Sequence, residues 1–135
     1  MSIQTDDDLR SILEADTVAV VGASTTAGKA AHDVPNYLQE HGYEVVPVNP
    51  YADEVLGVEA DDSLSEVEEE VDVVDVFRPS DEVAGIVDEV LERDDVDALW
   101  LQLGITDDES GERVRDSGRE FVQDNCIKVE HQRLA

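Results

Sequence analysis

Val18-Ala-Val-Val-Gly-Ala-Ser24 is the stretch of sequence that decides the fold. An apolar, mostly β-branched run stops at Gly22 and passes into small residues, after which one helical face recurs at Val34, Tyr37, Leu38 and His41. A buried strand, a tight turn and a helix in this order open a βαβ unit, and the N-terminus of such a helix can hold a phosphate. The pattern therefore predicts a nucleotide-binding unit.

The end of the second strand bears on which nucleotide that unit would take. The strand Tyr43–Val48 is followed by Asn49-Pro50, whereas an NAD site places Asp or Glu there to hold the ribose hydroxyls. Asn49-Pro50 is either a simple turn or a rigid, uncharged shelf beside a ribose or adenine. Unlike an acid, such a shelf would tolerate a phosphate on that ribose.

The remaining chain alternates strands and helices. We expect strands at Thr17–Val21, Glu44–Val48, Val71–Phe77, Ala98–Gln102 and Phe121–Gln123. We expect helices over Asp7–Ala15 (capped by Thr5 or Asp6), from an N-cap at Asp33 to Gly42, briefly from Ser63, from an N-cap at Ser80, and from the acidic turn Asp107–Glu109, with Cys126–Leu134 packing as a tail. This order predicts a Rossmann-like α/β fold, a doubly wound parallel sheet of about five strands in one three-layer domain over residues 1–135.

The composition is dominated by acid. Asp and Glu number 35 against nine Lys and Arg, for a formal net charge of −26 in 135 residues. A disordered acidic tail, an acidic surface for a basic partner, and an origin in a salt-loving organism could each explain this charge; we favour the last, because molar salt screens the self-repulsion. The charge argues against nucleic-acid binding, since no basic patch could neutralise phosphates.

Location follows from what the sequence does not contain. No apolar run reaches the length of a membrane span and no basic-then-apolar leader opens the chain, so we expect a cytoplasmic protein that does not bind membranes. The single cysteine, Cys126, excludes an internal disulfide and agrees with a reducing compartment.

In an open parallel sheet the ligand lies beyond the carboxyl ends of the strands, where four loops should converge. The loop Gly22–Lys29 has neither P-loop spacing nor three glycines, but its small residues and hydroxyls still favour a phosphate contact. Lys29 is one of only two lysines, and it could equally be an ordinary surface residue. Arg78, directly after the third strand, would meet an anion or pair with one of the many acids.

Catalytic and metal sites have little support. The tail brings Cys126, Lys128, Glu130 and His131 together in sequence, but a Cys–His nucleophile needs convergence in space, and a buried structural cysteine is the better interpretation. His32 and His41 lack metal-type spacing, so no metal site is predicted.

With these residues laid out, the chain over residues 10–134 resembles a stand-alone CoA-binding domain protein, related to the N-terminal CoA-binding domain of succinyl-CoA synthetase alpha subunits. The resemblance rests on ordered motifs: Val-Gly-Ala-Ser24, Tyr37-Leu38, Gly42-Tyr43, Pro47-Val-Asn-Pro50, Glu54-Val-Leu-Gly57, Val73-Val-Asp-Val-Phe-Arg78, Trp100-Leu-Gln-Leu-Gly104 and Cys126-Ile-Lys-Val-Glu-His131. One departure is Asn125, where related chains usually carry arginine before the cysteine.

The resemblance implies a site for coenzyme A or an acyl-CoA. Gly22–Ser24 and Lys29 would face the pyrophosphate, Asn49-Pro50 and Phe77-Arg78-Pro79 would flank the adenosine and its 3′-phosphate, and Gln102–Gly104 would lie near the pantetheine or ribose. The candidate binding residues are thus Gly22, Ala23, Ser24, Thr25, Lys29, Asn49, Pro50, Phe77, Arg78, Pro79, Gln102, Leu103 and Gly104.

The synthetases need further domains for catalysis, so a ligase acting alone is implausible. We expect a small non-catalytic CoA-binding module acting as a carrier, sensor or partner subunit, with a possible protein partner or homo-oligomer. Two alternatives stay open: an NAD(P)-binding oxidoreductase-type domain, and a ligand-free scaffold for protein association.

Overall fold

The structure, a computed structural model, describes residues 5–134. Its strands are β1 (Thr17–Val21), β2 (Glu44–Val48), β3 (Glu54–Val55), β4 (Val58–Glu59), β5 (Val73–Val76), β6 (Ala98–Leu101) and β7 (Glu120–Val122). Its α-helices are α1 (Asp6–Leu13), α2 (Ala30–Glu40), α3 (Val83–Leu91), α4 (Asp108–Asp116) and α5 (Ile127–Leu134). Five strands form one parallel sheet in the order β2-β1-β5-β6-β7, which confirms the predicted Rossmann-like α/β fold.

Each face of the sheet carries its own apolar core. Ala19, Val74 and Leu99 pack with α3 and α4 on one face, whereas Val20 and Trp100 pack with α1, α2 and α5 on the other. The strands are rich in valine because both of their faces are buried. Alternate residues of one strand therefore belong to different cores, which sets the three-layer arrangement.

The order of the strands reverses at β1. From β1 the chain passes through α2 to β2 on one side, while β5 joins the opposite side of β1. The chain after β1 consequently continues into α2 on one face and the chain after β5 into α3 on the other face, an arrangement that favours a ligand crevice at the carboxyl edge of the sheet.

Two helix starts differ from the prediction. Asp33 is not the N-cap of α2, which begins three residues earlier after Lys29; the Asp33 carboxylate instead accepts the Gly28 N–H at 3.1 Å from within the first turn. Ser80 opens a 3-10 turn over Ser80–Glu82 rather than capping α3. Its hydroxyl accepts the Thr106 N–H at 3.0 Å, so it connects two loops instead.

Two further elements were not predicted. The tail forms helix α5, whose first amide, that of Ile127, donates to Gln102 Oε1 at 3.1 Å. Within the long connection after β2, β3 and β4 form an antiparallel hairpin around Leu56 and Gly57, both at positive φ. Its turn lacks the usual Asn-Gly or Asp-Gly signal, which explains why the sequence did not reveal it. Among residues 5–134, no helix combines the length and apolar character needed to cross a bilayer.

Candidate functional site

A cavity of about 340 Å³ lies at the carboxyl edge, beyond the ends of β1, β2 and β5. It is bordered by the loops after these strands, by the segment after β4 and by one side of α3. Its lining consists of Val21, Gly22, Val48, Asn49, Pro50, Tyr51, Asp62, Ser63, Leu64, Arg78, Glu82, Ile86 and Glu89. Four of the predicted binding residues belong to it: Gly22, Asn49, Pro50 and Arg78.

Gly22 allows the loops after β1 and β5 to meet. Its backbone φ of +90° is rarely adopted by residues that carry a side chain. Its N–H donates to Val48 O at 2.9 Å. A Cβ at this position would lie 2.8 Å from Arg78 Cδ and 3.1 Å from Phe77 O. Any side chain at this position would therefore clash with Arg78 and the Phe77 carbonyl, and only glycine lets the two loops pack this closely.

Asn49 holds the loops after β1 and β2 together. Its Nδ2 donates to Ala23 O at 2.8 Å and its Oδ1 accepts the Tyr51 N–H at 2.8 Å. Its own N–H donates to Asp61 O at 2.8 Å. Both ends of the side-chain amide are thus engaged within the protein, in agreement with the simpler of the two interpretations, a turn after the strand.

Arg78 is paired with an acid in this structure. Its Nε and Nη2 donate to the two carboxylate oxygens of Glu82 at 3.1 and 2.7 Å, and both side chains are close to half exposed. These hydrogen bonds, donated by Arg78 and accepted by Glu82, raise the pKa of Arg78 and lower the pKa of Glu82. Glu82 thereby occupies the edge of the guanidinium whose N–H groups would suit a phosphate.

Two more acids, Asp62 and Glu89, line the same cavity, which therefore holds three carboxylates and one guanidinium. Sequence reasoning missed all three acids, because nothing distinguished them among 35. The only available signal for Glu82 was its i+4 spacing from Arg78.

The rest of the first loop, residues 23–29, does not line the cavity. Ser24 Oγ accepts the Thr26 N–H at 3.0 Å and so shapes the loop, while Thr25 and Lys29 are exposed. Asp33 lies in the first turn of α2, and its hydrogen bond from Gly28 lowers its pKa. A carboxylate of the chain itself is thus present near the helix N-terminus where a phosphate was expected.

The loop after β6 is stabilised from within the protein. Gln102 is buried, and its Oε1 accepts a hydrogen bond from the Ile127 N–H at the start of α5. The Gly104 N–H donates to Asp124 Oδ1 at 2.7 Å. The Leu103 side chain is 71% exposed. These three predicted residues lie at the carboxyl edge but do not line the cavity. Of the remaining candidates, Ala23 is buried, Phe77 packs against the core beneath α2 and α5, and Pro79 precedes the 3-10 turn.

The side chains with catalytic chemistry lie elsewhere, between α2 and α5. His131 Nδ1 lies 2.6 Å from the Tyr37 hydroxyl, and desolvation lowers the pKa of this histidine. Cys126 is a partly buried free thiol at the start of α5. Over residues 5–134, no group of three or more His, Cys, Asp or Glu side chains is arranged to hold a metal ion.

Comparison with known proteins places the chain in a family. Residues 16–132 match the family described as CoA binding domain. The uncharacterized protein YneT of Bacillus subtilis is 41% identical over 114 residues, which cover 84% of each chain. The structure of cell-free ID.343 from Thermus thermophilus superposes with a TM-score of 0.91 at 41% identity, covering 98% of this chain and 100% of that one.

A larger enzyme shares the domain. The ADP-forming acetate–CoA ligase II of Archaeoglobus fulgidus is 29% identical over 118 residues, or 86% of this chain. The match spans only 17% of that ligase. From the family match and the agreement in fold, we conclude that this chain belongs to the CoA binding domain family.

Proposed function

We propose that this chain binds coenzyme A or an acyl-CoA, with the nucleotide end of the ligand in the cavity beyond β1, β2 and β5. The observation that carries the proposal is the close packing at Gly22. There, the absence of a side chain lets the loop after β1 pack against the aliphatic stem of Arg78, and both residues line the cavity at the switch point of a CoA binding domain. The cavity volume is at the lower end of the range for small-molecule sites, so it would take part of the ligand, with the remainder on the surface.

The charges at the cavity define how an anion would enter. Among residues 5–134, Arg78 is the only base that lines the cavity, and three carboxylates accompany it. A ligand phosphate would therefore replace Glu82 as the partner of Arg78. Because Glu82 is exposed, its carboxylate can return to water when it is displaced.

The NAD alternative has less support at this site. An NAD-type site would need an acid at the end of β2 for the ribose hydroxyls, and the residue there is Asn49. The Asn49 amide is already hydrogen-bonded to Ala23 O and the Tyr51 N–H. The cavity therefore supports a CoA-type nucleotide better than a dinucleotide.

We assign the chain a binding role without catalysis of its own, as a carrier, a sensor or a partner subunit. It corresponds to 17% of the acetate–CoA ligase that it matches, so the chemistry of that whole enzyme would need other parts. His131, the histidine nearest to Cys126 in sequence, is engaged with Tyr37 instead.

Calorimetric titration of CoA, acetyl-CoA, NAD and ATP tests this function, carried out in about 2 M KCl, where surface charges are almost fully screened. We expect micromolar or tighter binding of CoA and no detectable binding of NAD or ATP. Arg78→Ala should lower the affinity for CoA, whereas Arg113→Ala should leave it unchanged. Arg113 is a matched control because it is equally exposed and also paired with an acid, Asp88, but lies on α4 outside the cavity lining. Absence of CoA binding by folded protein would refute the function and favour the scaffold alternative.

A further inference from the structure

Tyr51 is an exposed aromatic residue at the rim of the cavity. Three large apolar side chains are strongly exposed among the described residues: Tyr51 at 94%, Leu103 at 71% and Val129 at 52%. Of these three, only Tyr51 lines the cavity. A tyrosine ring left in water beside a candidate nucleotide site is free to cover a flat apolar ligand surface.

The backbone beneath the ring is held in place. The Tyr51 N–H donates to Asn49 Oδ1 at 2.8 Å, and the preceding Pro50 has a restricted φ. Asn49 is in turn anchored to Ala23 O. Binding a ligand would therefore order only the two side-chain torsions of Tyr51, which keeps the entropic cost low.

We propose that Tyr51 stacks on the adenine base of the bound CoA and so selects for the nucleotide end of the ligand. This inference rests on the proposed function. In CoA the base and the 3′-phosphate are attached to the same ribose, so a flat ring and an anion lie one sugar apart. Tyr51 and Arg78 line one cavity and offer a partner to each. The pantetheine arm carries no ring and would gain nothing comparable from an aromatic face.

The test compares CoA with 4′-phosphopantetheine, which has the arm but lacks the adenosine. Both would be titrated into the wild type, Tyr51→Ala, Tyr51→Phe and Val129→Ala. Val129 is an exposed apolar control on α5, outside the cavity lining. We expect Tyr51→Ala to bind CoA about 10-fold more weakly, within the range that alanine substitution gives for base–aromatic stacking. Tyr51→Phe keeps the ring and should bind like the wild type, as should Val129→Ala.

Nuclear Overhauser effects provide a second measurement that does not depend on affinity. In the wild-type complex, the Tyr51 ring protons should show contacts to adenine H2 or H8. If phosphopantetheine alone binds too weakly to measure, this contact decides the question.

The outcomes separate the inference from the function. CoA affinity unchanged in Tyr51→Ala, or no ring-to-adenine contact, overturns the stacking while leaving CoA binding intact. An equal loss for phosphopantetheine would also overturn it, because Tyr51 would then act on the arm or the loop. If the wild type binds no CoA, the proposed function itself fails.

Discussion

Asp75 lies in the middle of the central strand β5 and is fully buried. Its register partners are Val20 on β1 and Trp100 on β6, both in the apolar core beneath α1, α2 and α5. Among the described residues 5–134, neither carboxyl oxygen of Asp75 has a hydrogen-bond partner. Desolvation therefore raises the pKa of Asp75 well above its usual value.

Replacing Asp75 by valine should stabilise the domain. Leaving a buried polar group unpaired costs about 1–3 kcal/mol, and burying an aliphatic side chain instead adds roughly 1 kcal/mol. Below about pH 4, where the carboxyl is protonated in both the folded and the unfolded state, we therefore expect Asp75→Val to increase the free energy of unfolding by about 2–4 kcal/mol. For a domain of this size, that corresponds to a rise in Tm of roughly 10 °C.

The pH dependence follows from the raised pKa. The folded state holds the Asp75 proton more tightly than the unfolded state, in which the pKa is about 3.9. Asp75 therefore contributes stability below about pH 4 that is lost as the pH rises through the folded pKa. The advantage of Asp75→Val over the wild type should accordingly grow above about pH 4 and then level off.

Denaturant unfolding of both proteins across pH, in high salt, measures this difference. Asp72→Ala is the control with the opposite sign, because Asp72 Oδ2 accepts the N–H groups of Asp16 and Thr17, each at 3.0 Å. Losing these two bonds should destabilise the domain by about 1–2 kcal/mol. A destabilised Asp75→Val, or a difference from the wild type that does not change with pH, would show that Asp75 has a partner after all and refute the reasoning.

Three further predictions concern the site and the packing. If Arg78 contacts the 3′-phosphate, Arg78→Ala should lower the affinity for CoA more than the affinity for dephospho-CoA, and equal losses in calorimetry would argue against that contact. Glu82→Gln should raise the affinity for CoA by up to about fivefold, because it removes the charged partner of the guanidinium. Gly111→Ala should lower the free energy of unfolding by about 1–3 kcal/mol, because the new Cβ would lie 2.7 Å from the buried Phe121 ring. Gly85→Ala, in open space on α3, should raise it by about 0.5–1 kcal/mol. Thermal unfolding in which both variants shift Tm in the same direction would contradict the close contact between Gly111 and Phe121. CoA affinity should rise between about 0.1 and 1 M KCl, where the Debye length falls from about 10 to 3 Å, because ligand and protein are both anionic; a titration series showing a fall would mean that the local charge of Arg78 dominates.

Most elements of the fold could be predicted from local patterns. The valine-rich runs and the 3.6-residue periodicity mark strands and helices whichever partners they later find. The five sheet strands were predicted within a few residues; Val71–Phe77, for example, is shortened to Val73–Val76. Helix α5 was missed, because its start is capped by Gln102, which is remote in sequence. The halophilic origin and the relation to succinyl-CoA synthetases stay predictions.

The candidate site was only partly predictable. Gly22, Asn49, Pro50 and Arg78 follow strand ends, and strand ends of a parallel sheet share one edge, so their place at the cavity follows from the fold. Whether the loop after β6 joins them depends on the hydrogen bond that Asp124 accepts from Gly104 and the one that α5 donates to Gln102, which no local pattern reveals.

The sequence by itself determined the element types, the parallel sheet and the group of loops at its carboxyl edge, because these depend on apolar periodicity and turn chemistry along the chain. Only the tertiary structure decided which groups meet across that edge. It places Gly22 against Arg78, pairs Arg78 with Glu82 and leaves the Asp75 carboxyl without a hydrogen-bond partner in the part of the chain that is described. Those relations depend on distances between segments brought together by packing, and a charge has no partner until the fold supplies one.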